Sequence, residues 1–271
     1  MATLRLLLVS LLAGFTVSLV ADLHKRIIGG QECEPNERLY HVKLYKGDGK
    51  ELRLCGGSLI SNRWILTAAH CWNKHLLMFA NLGVHPGWKE LVSITTHKIY
   101  EEGPMFKKQS HDLMLLKIPS SAKIPPEVKP VGLPNCTNQP QLGDTVQIAG
   151  HSSTTTTTWG PFKLRVYGDM SPTLQCANLN VVDCALVRGL ETHEYYGYQS
   201  IFCGQSPEAD VCHGDSGGGV VFDGKIYGVM VFTGNKFIAC DKPAGFTNLC
   251  HPQYYNWIKK HIKKIKEIVW H

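Results

Sequence analysis

Beyond its N-terminus this sequence has no apolar run long enough to cross a bilayer, and no two cysteines lie closer than eight positions. The first absence excludes a membrane-spanning helix in the body of the chain. The second removes the CxxC spacing on which zinc sites and thiol redox centres commonly depend. Carboxylates are sparse from Leu82 to Ile94, where Glu90 stands alone, too few oxygens for a calcium site. Charge of one sign is weak as well. The 28 Lys and Arg exceed the 22 Asp and Glu by only six, which gives no footprint for nucleic acid. No metal, no cofactor and no nucleic-acid partner is expected, and helical periodicity appears once, at the very end.

Cysteine, by contrast, is plentiful: ten in 271 residues, an even number. Met1–Ala21 explains their setting. Arg5 precedes an apolar core, Leu6–Val20, and small residues Ser18 and Ala21 follow. That pattern is a secretory signal, so residues 22–271 are expected outside the cell, secreted into an oxidising compartment where disulfides are the default. Without residues 1–26 the count is 25 basic against 21 acidic side chains, a net +4.

Short alternating runs follow: His41–Tyr45, Ser58–Ser61, Trp64–Ala68, Leu91–Thr95 and Leu113–Lys117. Gly, Pro and Asn clusters separate them, as in an all-β barrel or sandwich. Five prolines between 118 and 135 mark a crossing loop, and Thr154–Thr158 reads as a polar loop that cannot pack a core. Val220–Phe222 and Ile226–Phe232 flank Asp223-Gly224, a hairpin signal. Pro252–His271 is the helix. Trp257, Ile258, Ile262, Ile265 and Val269 share one face, and Lys259, Lys260, Lys263, Lys264 and Lys266 the other. That lysine face is either simply solvated or a patch for anionic glycans.

Three stretches carry chemistry. Asp210-Val211-Cys212-His213-Gly214-Asp215-Ser216-Gly217-Gly218-Gly219 sets a serine among glycines. Such backbone is free to aim the amides of Gly214 and Ser216 at one developing oxyanion. Trp64–Cys71 ends an apolar run on His70, and His111–Leu116 opens another on Asp112. A serine, a base and a buried acid are what acyl transfer requires, and the order His, Asp, Ser is one of three known.

On Ile27–Gly30, Thr67–Cys71, Asp112–Leu115 and Gly214–Gly218, the chain from 27 to about 265 resembles the trypsin-like serine peptidases of the chymotrypsin fold. The resemblance implies two six-stranded antiparallel β-barrels and a C-terminal α-helix, with the active site between the barrels. It makes His70, Asp112 and Ser216 the catalytic triad, with Gly214 and Ser216 as the oxyanion hole. Asp22–Arg26 becomes an activation peptide cut at Arg26, and the new Ile27 ammonium pairs with Asp215. Asp210 falls at the base of the primary pocket and selects Lys or Arg, while Val231, Thr233 and Ala244 line its walls. Five bridges are implied: Cys33–Cys176, Cys55–Cys71, Cys136–Cys250, Cys184–Cys203 and Cys212–Cys240. A sixth family bridge is absent, its positions being Val146 and Phe222. Protein or peptide substrates, an activating protease and protein inhibitors would be the partners of a monomer.

Several neighbours depart from the family pattern. Val231 stands where a serine supports the acid, Phe232 replaces a Trp, Gly219 a Pro, and His151 a Trp. Thr233 and Ala244 replace glycines and should narrow the pocket against the Arg fork more than the Lys stem. These changes keep open a second reading, a catalytically weak or inactive homologue that binds proteins without cutting them.

Overall fold

The computed structural model describes residues 30–47, 52–87, 90–104, 106–152, 156–159, 164–167, 171–187, 199–212, 214–235 and 240–263. Met1–Gly29, which hold the expected signal and activation segments, lie outside them.

Sixteen strands, one α-helix and two short 3-10 turns are present among the described residues. The first half forms β1 (Gln31–Glu32), β2 (His41–Gly47), β3 (Leu52–Ser61), β4 (Trp64–Thr67), β5 (Leu77–Leu82), β6 (Glu90–Ile94), β7 (Thr96–Glu102) and β8 (Gln109–Lys117). The second forms β9 (Thr145–Gly150), β10 (Thr156–Trp159), β11 (Leu164–Tyr167), β12 (Gln175–Val182), β13 (Ile201–Gln205), β14 (Gly219–Phe222), β15 (Lys225–Phe232) and β16 (Ala244–Asn248). Helix α1 spans Pro252–Lys263.

One sheet runs β6-β5-β2-β3-β4-β8-β7, all antiparallel. Only Thr95 separates β6 from β7, so the two edges are one bent strand and the sheet closes on itself. The other sheet runs β12-β13-β16-β15-β14-β9, and β9 pairs back onto β12. That closure makes a six-stranded barrel, with β1 attached outside. The expected double barrel is what folds, and closure leaves few edges for unwanted pairing.

The strand patterns explain the cores. In β8 the run His111–Leu116 is buried throughout, because β8 is flanked by β4 and β7 and packed on both faces. β5 instead alternates, with Met78 and Ala80 inward and Leu77 out, the period-two signature of a half-exposed strand. The β14–β15 hairpin turns at Asp223 and Gly224, with φ of 47° and 68°, the type I′ geometry that the Asp-Gly pair favours.

Two elements differ from the sequence reading. Part of the threonine run is strand: Thr156–Trp159 pairs with Leu164–Tyr167 as a separate two-stranded ribbon. Threonine suits a pleated strand even where it builds no core. Helix α1 is described only to Lys263, so Lys264 and Lys266 lie outside the described residues. Its apolar face packs on the first barrel, where Tyr254 and Ile258 are fully buried and the Tyr254 and Trp257 rings meet Tyr100 edge-on. The second barrel thus hands its last element back to the first.

Candidate active site

After β4 the chain makes one short 3-10 turn, Ala69–Cys71, which carries His70 off the sheet. β8 lies beside β4, with Thr67 opposite Met114, so Asp112 emerges at the same end. The His70 backbone N–H donates to Asp112 Oδ1 at 2.8 Å, and His70 Nδ1 stands 2.7 Å from Oδ2. One carboxylate therefore holds both the backbone and the ring of the histidine. Asp112 is 5% exposed and His70 39%, an acid under cover and a base facing solvent. The ring presents Nε2 outward with its tautomer set from behind.

The serine reaches this place from the other barrel. The Gly56 N–H donates to Ser216 O at 2.8 Å, and that same oxygen lies 3.5 Å from Cys71 Sγ. Next to it, the Gly217 N–H donates to Met230 O at 2.7 Å. Gly217 has φ of 86°, and a Cβ there would overlap Thr67 Oγ1. Only a glycine lets the serine loop lie this close to β4. Gly214, with φ of 107°, makes the preceding turn. The Ser216 backbone thus meets Cys71, the neighbour of His70, at the seam between barrels. The Cys55–Cys71 bridge pins the histidine turn to β3. Cys55, His70 and Cys71 also form a cluster of metal-binding types, but both sulfurs are spent on that bridge.

Comparison with known proteins agrees with this geometry. The family model described as Trypsin matches residues 27–258. The chain belongs to the trypsin family. Human kallikrein-8 is 30% identical over 247 residues, covering 87% of this chain and 86% of that one. Human kallikrein-2 is 32% identical over 257 residues, with 88% and 90% covered. The thrombin-like enzyme gyroxin B2.1 of Crotalus durissus terrificus is 29% identical, with 86% and 94% covered. Among solved structures, mouse neuropsin, a serine protease expressed in the limbic system of the brain, superposes with a TM-score of 0.63. It is 29% identical, with 86% of this chain and 98% of that one covered. This trypsin-family chain is a serine endopeptidase.

The residues expected to form the primary pocket lie on and beside β15 and β16. Asp210 is 4% exposed, and its carboxylate accepts the Val211 N–H at 2.8 Å and the Cys240 N–H at 2.6 Å. Val231 and Ala244 are buried on β15 and β16, and Thr233 is half-buried just past β15. Phe232 is buried too, its ring lying where a Cβ on Gly245 would be. The small residue at 245 lets the aromatic tuck inward.

Four of the bridges implied for a trypsin-family chain are formed: Cys33–Cys176, Cys55–Cys71, Cys136–Cys250 and Cys184–Cys203. Cys212–Cys240 is not among these four. Here the Cys240 backbone turns to Asp210, which still brings it alongside the 210–212 segment. Peptide mapping of the oxidised protein without reduction should recover the Cys212–Cys240 pair. Alkylation of either cysteine without prior reduction would sink that fifth bridge.

Three side chains near the site escaped sequence reasoning. Gln199 Oε1 accepts the Asp112 N–H at 2.8 Å, and Lys46 Nζ donates to His70 O at 3.0 Å. Ser152 reaches Asp215. A lone Gln, Lys or Ser in mixed surroundings carries no periodic or motif signal.

Between the barrels lies a histidine pair, His41 and His151, with ring centroids 5.6 Å apart. Burial pushes the His41 pKa well below its usual value, helped by His151, His85 and Lys43. Burial lowers His151 to about 4, aided by Lys43, while the Ser171 backbone pulls the other way. A histidine depressed on folding stabilises above its unfolded pKa, and that contribution is lost as pH falls from about 6.5 toward 4. For His151 the loss is about 3 kcal/mol. Asp215, raised by burial to about 6, acts oppositely: its contribution is present in acid and fades as pH rises through 6. His151→Phe should therefore raise the melting temperature more at pH 4.5 than at pH 7.5. Equal shifts at both pH values would show that His151 does not have to shed its proton to fold.

Proposed function

We propose that the chain is secreted as a precursor, with residues 1–21 as signal and 22–26 as activation peptide, and cuts peptide bonds after Lys or Arg once Arg26–Ile27 is cleaved. Ser216 Oγ attacks the scissile carbonyl while His70 Nε2 takes its proton, and Asp112 holds the ring and stabilises the imidazolium. The amides of Gly214 and Ser216 receive the oxyanion. His70 then gives the proton to the leaving amine, and water repeats the sequence on the acyl-enzyme.

The observation that carries this reading is the pairing of His70 with a buried Asp112 through both carboxylate oxygens, with Ser216 O beside Cys71. A binding protein has no need of an acid buried against an imidazole at the mouth of a glycine-rich loop. Asp210, a buried carboxylate at the pocket, supports selection of a cationic side chain. Ala244 and Thr233 add volume where a long Arg fork would pass, so Lys substrates should be tolerated relatively well. The Ile27 ammonium is the partner assigned to Asp215 after cleavage. Protein inhibitors and an activating protease follow from this chemistry. Lys259 and Lys260 on α1 offer a modest site for anionic glycans.

A fluorophosphonate probe tests the core of it. Ser216 should be labelled in the chain cut at Arg26, with loss of fluoride, and Ser216→Ala should abolish labelling. A properly cut protein that takes no label would leave the inactive homologue as the reading.

A further inference from the structure

Gly150, the last residue of β9, and the following His151 and Ser152 wrap the side chain of Asp215, the residue before the serine nucleophile. Asp215 is 1% exposed and Ser152 wholly buried. The Ser152 N–H donates to Asp215 Oδ1 at 3.1 Å, and the Ser152 hydroxyl donates to Oδ2. The Cys212 N–H donates to Oδ2 at 3.1 Å, and the His151 backbone amide adds to the same set. A Cβ on Gly150 would overlap Asp215 Oδ1, so the carboxylate rests directly on this backbone.

A carboxylate with no water around it needs either a cation or several donors. Even with these donors burial keeps the Asp215 pKa near 6, so the loss of one would be felt. Every donor named here belongs to 151–152 or 212. None of them is made by the cut after Arg26. The seated carboxylate in turn fixes the serine loop, because the Asp215 N–H donates to Cys212 O at 3.0 Å and the Gly218 N–H to Asp215 O at 2.9 Å. Between those two bonds lie Gly214 and Ser216.

We propose that Ser152 is a positioning residue that seats Asp215 independently of the cut after Arg26, so that the uncut chain keeps part of the reactivity of Ser216. This rests on the peptidase reading above. Ser152 acts through Asp215 and the loop, and does not touch substrate. Its hydroxyl gives the buried carboxylate a donor in the precursor that an ammonium would otherwise have to supply.

The experiment compares an uncuttable full chain, Arg26→Gln, with the chain cut after Arg26, each with Ser152 and with Ser152→Ala. The readout is the rate of Ser216 labelling by the fluorophosphonate probe. The Arg26→Gln chain should label at a measurable rate, within about a hundredfold of the cut chain. Ser152→Ala should lower the uncut rate at least tenfold more than the cut rate. Ser152→Gly, which also keeps the backbone N–H, serves as the second hydroxyl-free variant should alanine prevent folding, and melting temperatures report folding for each. A merely structural role would slow both forms alike. The proposal is overturned if the uncut chain is silent while the cut chain labels, or if removing the hydroxyl changes both equally. Silence of both forms overturns the peptidase reading itself, and this inference with it.

Discussion

Asp112→Asn should leave a folded protein whose turnover of peptide substrates falls by about 10⁴-fold. The reason lies in the double hold on His70. The carboxylate accepts from the His70 backbone N–H with Oδ1 and faces Nδ1 with Oδ2. Asparagine can keep its oxygen on the backbone donor only by turning its NH₂ toward Nδ1. The ring must then accept there and carry its proton on Nε2, where it can no longer take one from Ser216. The Asp112 backbone N–H keeps Gln199 Oε1 as acceptor, so the strand itself should stay in place. Steady-state kinetics on a chromogenic peptide, beside a melting curve, checks this. A folded Asn variant within tenfold of the parent would mean that His70 takes its orientation from elsewhere.

If Asp210 receives the substrate cation as proposed, Asp210→Ser should lower kcat/KM on Lys and Arg substrates by roughly 10³-fold or more, since the cation loses a buried counter-charge. A stability cost should come with it. Val211 donates to one carboxylate oxygen and Cys240 to the other, and a single serine oxygen cannot stand in both places. About 1–3 kcal/mol per unmet donor is the scale. Kinetics measured well below the melting point separate the two effects. If the parent enzyme proves to cut only after aromatic or small apolar residues, Asp210 is a structural acid and nothing more.

Much of this was legible in the sequence because motifs carry local geometry. The glycines around Ser216 announce a backbone that must pass where no Cβ fits, and Gly217 against Thr67 Oγ1 is that place. The apolar run after Asp112 announced a strand with the acid at its head, and its burial on both faces came only from the fold. Spacing could say nothing about partners far apart in the chain. Ser152 lies 63 residues from Asp215 and Gln199 lies 87 from Asp112. Neither has a periodic neighbour to betray it. The threonine run misled because polarity was weighed above β-propensity, and the run pairs as a strand.

The hold of α1 on the first barrel bears on how the chain is made. Tyr254 is hydrogen-bonded to His111 through Nδ1 at 2.5 Å, and His111 precedes Asp112. Synthesis runs from the N-terminus, so both barrels leave the ribosome before Tyr254 does. Until then His111 lacks its Tyr254 contact, and the strand that carries Asp112 lacks the cover of α1. A nascent chain not yet extended past Tyr254, or one truncated before it, should cut peptides poorly whatever its processing state.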